Sequence, residues 1–150
     1  MTKKLVVTVG NGMMGDDAAG PLLARKLRGA PLDGWEVLDG GSAPENLLHR
    51  IREISPDHVL IIDAADMDLE PGEIRQIEAA KLEDPFLMTT HSLPLSYFVL
   101  SLAEFVPRVE MVGIQPEVVA FGYPVSASVL RAIDEVYKSL SQEGWNWGCL

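Results

Sequence analysis

Apolar positions along the chain switch repeatedly between two periods. "KLVVTV", residues 4–9, is an unbroken apolar and β-branched run, the pattern of a strand covered on both faces. "DDAAGPLLARKLRG" then takes helical spacing: an acidic pair at its start, Pro21 in the opening turns, Lys26 and Arg28 late, Gly29 as the stop. "WEVLDGG" predicts a second strand ending in glycines, and "PENLLHRIREI" a helix with Leu47, Leu48, Ile51 and Ile54 on one side. "DHVLIIDAAD" is a third strand, apolar on both faces until Asp63. A Pro71-Gly72 turn leads into the polar, edge-like strand "EIRQIE". In "TTHSLPLSYFVLSLAEFV", residues Leu95, Phe98, Val99, Leu102, Phe105 and Val106 lie at helical spacing behind a Ser92/Pro94 start. "RVEMVGIQP" is a further strand, and a last helix runs from about Ser126 to Leu140. "EGWNWGCL" has no period, so residues 141–150 are expected to fray.

Strand–helix alternation of this kind makes parallel strands with helices on both faces. The expected fold is α/β: a three-layer domain over 1–150, with a twisted, mostly parallel sheet of about five strands flanked by helices. It contains no internal repeat, low-complexity segment or linker. In such folds ligands collect beyond the carboxyl ends of the strands, near the point where strand order reverses.

Composition narrows the partners. A chain of 150 residues with 47% hydrophobic content supports a single core. A net charge of −10 leaves no basic face for nucleic acid or an anionic membrane. One cysteine, Cys149, cannot build a disulfide framework or a thiolate cluster. The apolar stretch behind Lys3 and Lys4 is too short for a signal segment, and no run has membrane-spanning length, so the expectation is a cytoplasmic protein. No apolar stripe in the pattern demands a partner subunit, which makes a monomer the expectation.

The candidate chemistry stands at the strand ends. Asn11 to Asp17 follow the first strand, Asp39-Gly40-Gly41-Ser42 the second, Asp63 and Asp66 the third, and Gln115-Pro116-Glu117 the fifth. His91 lies in the loop leading into the helix before the fifth strand. Gly10-x-Gly12-x-x-Gly15, with Asp39 at the end of the second strand, has the spacing of a dinucleotide fingerprint. Charge opposes that reading. A pyrophosphate here meets Asp16 and Asp17, and each like-charge pair at 4 Å costs about 4 kcal/mol at an effective dielectric near 20. The helix end returns only about 0.3–1 kcal/mol. A cation fits better: Asp17, Asp63 and His91, from three separate loops, form a nitrogen/oxygen set suited to nickel, zinc or iron(II), with positions left open for an incoming group. Plainer roles compete. Asp16 or Asp17 suits a helix cap, Asp63 a strand end bonded to amides, and His91 a loop residue satisfied by Thr89, Thr90 or Ser92. Asp39 suits a turn, and His49 and His58 structural or solvated positions. Met13 and Met14 suit core packing or an adaptable protein contact. There is no G-x-S-x-G elbow and no H-E-x-x-H.

Five segments in order, "GNGMMGDD", "DGGSAPEN", "IIDAADM", "TTHSLPLSY" and "GIQP", resemble the hydrogenase maturation proteases, most closely the formate hydrogenlyase subtype, over Leu5 to Leu140. The resemblance implies a twisted, mostly parallel sheet flanked by helices. It implies an aspartic-type endopeptidase that removes a short C-terminal extension from the precursor of a [NiFe] hydrogenase large subunit once nickel is inserted. It also implies that Asp17, Asp63 and His91 contact the metal, with Asp17, Asp39 and Asp63 the acids of the processing chemistry; either a carboxylate, Asp17 or Asp39, activates water as general base or the metal polarises the scissile carbonyl. The nickel is then the substrate's own, with no permanently bound cofactor. Many relatives carry Glu where this chain has Asp17. The competing class is an accessory protein that binds nickel or a nucleotide without cutting.

Overall fold

The computed structural model describes residues 2–78, 81–82, 92–142 and 144–150. Five strands are formed: β1 (Lys4–Thr8), β2 (Trp35–Asp39), β3 (His58–Ala64), β4 (Ile74–Ile77) and β5 (Arg108–Ile114). Four helices join them: α1 (Ala19–Gly29), α2 (Leu48–Ile54), α3 (Ser92–Ala103) and α4 (Ala127–Leu140). Short 3-10 turns, Gly15–Ala18 and Pro44–Leu47, lead into α1 and α2. The strands lie in the order β2-β1-β3-β5-β4, all parallel except β4, which runs antiparallel to β5 at one edge. This is the expected α/β architecture, with its polar strand on the edge.

The period of two along the strands sorts side chains between the layers. Val6, Leu60, Ile62 and Val112 pack with Leu23 of α1 and with Val129, Ile133 and Val136 of α4. Leu5, Val7, Val59 and Ile61 pack on the other face with Ile51 of α2 and with Leu95, Phe98 and Leu102 of α3. All seven residues of β3 are buried. Asp63 is therefore inside the strand, and its alternation with Val59 and Ile61 puts it on the α3 face.

Strand order reverses between β1, whose next strand is β2, and β3, which pairs with β5 on its far side. The crevice expected for a ligand opens at the carboxyl ends of these two central strands.

Within the tail expected to fray, residues 148–150 instead pair with the outer edge of β4. The Gln76 N–H donates to the Gly148 carbonyl and the Leu150 N–H to the Gln76 carbonyl, each at 2.9 Å. The tail thus covers backbone groups an edge strand would otherwise expose. Trp145 stacks on His58 and on Trp147, with ring centroids 6.1 and 5.2 Å away. Neither contact leaves a periodic signature, which is why the pattern of residues gives no warning of it.

His58 is buried at the opposite, amino-terminal end of the sheet. Its Nε2 lies 2.7 Å from Glu110 Oε1. A cavity of about 280 Å³ at that end is lined by Lys4, Trp35, His58, Arg108 and Trp145 among others. Its one acid, Glu110, is already engaged by His58 and Arg108. The acid-rich carboxyl end has the chemistry.

Candidate active site

The β1–α1 connection turns on two glycines. Gly10 has φ +145°, and a Cβ there would sit 2.1 Å from the Asp17 carbonyl oxygen. Gly15 has φ +58°, and a Cβ there would lie 2.6 Å from the Val118 carbonyl oxygen. At Gly12, where the dinucleotide pattern needs close approach to a ligand, an added Cβ would meet nothing within 4 Å. The glycines serve the tight turn of the backbone itself. Gly15→Ala is expected to cost about 2 kcal/mol, from left-handed backbone strain plus this clash, read as a lower midpoint in urea.

Asp16 and Asp17 are adjacent and both buried, yet they face different partners. The Asp16 carboxylate accepts hydrogen bonds from the backbone N–H of Glu117 (2.8 Å), Val118 (3.1 Å) and Ser126 (2.7 Å), and from the Ser126 hydroxyl. Its own N–H donates to the Val118 carbonyl. Burial by itself would raise the Asp16 carboxyl, but these bonds, led by Ser126, outweigh it and hold the group below its ordinary value. Asp16 makes no helix-cap bond; neither the 15–18 turn nor α1 has a side-chain cap. It ties the β1–α1 loop to the segment that follows β5.

Asp17 Oδ2 accepts the Asn11 N–H at 2.9 Å, which closes the loop on itself. The 15–18 turn packs against β3, and so brings Asp17 to Asp63. Asp63 is fully buried, and neither of its carboxylate oxygens has a hydrogen-bond partner among the described residues. Burial, and then the charge of Asp17, push its carboxyl well above the ordinary value of 3.8. The Ala64 N–H opposes this, as the smallest of the three influences. The role of a strand end bonded to amides therefore does not describe Asp63. Two buried acids held together, one with no hydrogen-bond partner among the described residues, form a place that a cation would neutralise.

Asp39 stands apart. It pairs across the sheet with Thr8, which pairs on its other side with Ile62, so β1 separates Asp39 from β3. That is roughly 10 Å between the outer backbones. Asp39 Oδ1 accepts the Thr8 hydroxyl at 3.2 Å and the Gly41 N–H at 3.0 Å, a turn-forming arrangement. His91 lies outside the described residues. The helix that begins at the next residue, α3, packs on the sheet face to which Asp63 belongs. His49 is exposed on α2 beside Glu53.

Two residues acquire roles that their types alone do not suggest. One is Asp16. The other is Gln115, buried just past β5, whose Oε1 accepts the N–H of Met67 (2.7 Å) and Leu69 (3.3 Å) and whose Nε2 donates to Asp66 Oδ1 (3.1 Å). Gln115 shapes the loop after β3, and Asp66 is spent on that loop, accepting also from the Asp68 N–H.

The fold and the site define a doubly wound α/β protein with a buried acid pair at its switch point. The sequence model of the family HycI, hydrogenase maturation protease, matches residues 21–143. The chain is 50% identical over 141 residues to the Hydrogenase 3 maturation protease of Escherichia coli K12, covering 94% of this chain and 89% of that one. It superposes with a TM-score of 0.92 on the solution structure of the endopeptidase HycI from Escherichia coli, at 46% identity over 100% of this chain and 97% of that one. The crystal structure of a [NiFe] hydrogenase maturation protease HycI from Thermococcus kodakarensis KOD1 matches with a TM-score of 0.82 and 25% identity, over 93% and 90% of the two chains. The chain belongs to the hydrogenase maturation protease family.

Proposed function

We propose that this protein is an endopeptidase that removes the C-terminal extension from the precursor of a [NiFe] hydrogenase large subunit after nickel has been inserted. Its family and its similarity to proteins named hydrogenase 3 maturation protease support the substrate class. The observation that carries the dependence on nickel is Asp63: a fully buried carboxyl beside Asp17 with no hydrogen-bond partner among the described residues. Without a cation, ionising it is unfavourable. With the precursor's nickel present, Asp17 and Asp63 supply oxygen ligands and His91 a nitrogen. Two carboxylates and one imidazole suit that metal and leave positions open for the thiolates that already hold it. The metal is substrate cargo, so binding of the precursor is coupled to its loading.

Hydrolysis adds the oxygen of water to the scissile carbonyl carbon, breaks the C–N bond, and leaves a new carboxylate and a protonated amine. An acid of the rim takes the water's proton, which is the sense in which the enzyme is aspartic-type. Asp17 is the better placed base, because it lies beside Asp63 while Asp39 lies across β1 from β3. The test is processing of nickel-loaded precursor by Asp17→Asn and His91→Ala. Both are expected to lose cleavage while keeping wild-type circular dichroism. Full activity in either would refute the assignment.

A further inference from the structure

The segment after β5 exposes what a lone domain ordinarily hides. Of the eight large apolar side chains that the described residues expose, five sit in two touching loops: Met13, and Val118, Val119, Phe121 and Tyr123. Phe121 is 70% exposed, Met13 62% and Tyr123 58%. The Gly122 N–H donates to the Met13 carbonyl at 2.9 Å and joins the two loops into one surface. Between Gln115 and Ala127 the only charged residue is Glu117. A chain with a net charge of −10 thus keeps one uncharged, aromatic-bearing face.

This loop is held in place. Asp16 engages it at Glu117, Val118 and Ser126, and Gly15 admits the Val118 carbonyl to a distance no side chain would allow. A fixed apolar surface beside a site is a feature that association explains and folding does not. It is also continuous with the acid pair: Met13 is in the loop that carries Asp17, and the Asp17 N–H bonds to the Met14 carbonyl within it. Through the Gly122–Met13 bond, the 118–123 loop borders the loop that carries Asp17.

Resting on the reading of the protein as a precursor peptidase, we infer that the 118–123 loop, held by Asp16, is the docking platform for the precursor. It takes an uncharged, apolar stretch of polypeptide next to the scissile bond. Phe121 and Tyr123 are its specificity-determining contacts, and Asp16 is a positioning residue that acts through the loop.

The experiment compares wild type, Phe121→Ser/Tyr123→Ser, and Leu100→Ser, which removes an equally exposed apolar side chain from α3. Steady-state processing of nickel-loaded precursor is expected to show KM raised at least about tenfold in the double variant, with kcat within about twofold of wild type. Leu100→Ser is expected to match wild type. Binding is read separately, as affinity for nickel-free precursor with the acid pair intact, a form that on this account is not cut. Loss of affinity there on changing Phe121 and Tyr123 supports the platform even if wild type proves unable to cut, an outcome that would sink only the peptidase reading. Unchanged KM and unchanged affinity would overturn the inference. So would a wild-type dimer in sedimentation that the double variant dissolves, since the loop would then face a second copy of the chain.

Discussion

Asp63→Asn is expected to abolish processing and, in the same molecule, to make the metal-free protein harder to melt at neutral pH. The first effect follows from removing a charge that the incoming cation requires. The second follows from burial. The folded protein holds the Asp63 carboxyl well above its ordinary value, through burial first and the neighbouring charge of Asp17 second. The folded state therefore keeps this proton when the unfolded chain has already lost it. The contribution to stability is largest below the unfolded value of 3.8 and declines as pH rises towards the folded value. An asparagine, close in shape to the protonated acid, does not titrate. Calorimetry in a chelator at pH 5 and pH 8 should show the variant melting progressively higher than wild type as pH increases. A variant equally destabilised at both would contradict the description of Asp63 as an uncompensated buried acid.

Asp16→Asn should act in the opposite sense and nearly as strongly. Asp16 Oδ2 serves Glu117, Val118 and the Ser126 hydroxyl, and Oδ1 serves the Ser126 N–H. An amide presents an oxygen to one side and an NH2 to the other, so at least one donor is left facing a donor. The loss is about 2–4 kcal/mol, with hydrogen bonds to a charged acceptor broken and backbone groups stranded. For a chain of this length that corresponds to roughly 5–15 °C in Tm. The sign with pH is also reversed. Asp16 is held below its ordinary value by those hydrogen bonds, against the opposing effect of burial. Its stabilisation is fully present above about 3.8 and is lost as pH falls through the lower folded value. The gap between wild type and variant should be constant from pH 5 to 8 and close in acid. A gap that persisted unchanged in acid would mean that shape rather than charge makes the contact.

How much of this was legible in the sequence differs residue by residue. β3 was written in "HVLII" as an unbroken apolar run, and Asp63 stood out as the first acid to interrupt it. Asp17 was legible as an acid at the end of the first strand, where the switch-point rule locates ligands. The edge position of β4 followed from its polar residues. What could not be read are contacts that join distant parts of the chain. Asp16 and Ser126 are 110 residues apart, and a helix cap was the local explanation available for an acid in that position. Gln115 acts on a loop 46 to 48 residues earlier. The docking of Trp145 and Cys149 rests on stacking and on an open strand edge, neither of which has a period. The apolar surface at the 118–123 loop was hidden for a related reason. "VVAFGYPV" has no helical or strand alternation to reveal which way its side chains face, and the structure turns Phe121 and Tyr123 outward. His91 lies outside the described residues, so its role rests on the resemblance and on its place before α3.

The central claim is that the buried acid pair waits for a cation that arrives with the substrate. The most direct measurement is the intact mass of hydrogenase large-subunit precursor after incubation with the purified protein, in nickel-loaded and nickel-free form. The account predicts that only the loaded precursor loses mass, by a single C-terminal peptide. Equal cleavage of both forms, or no cleavage of the loaded one, would contradict it.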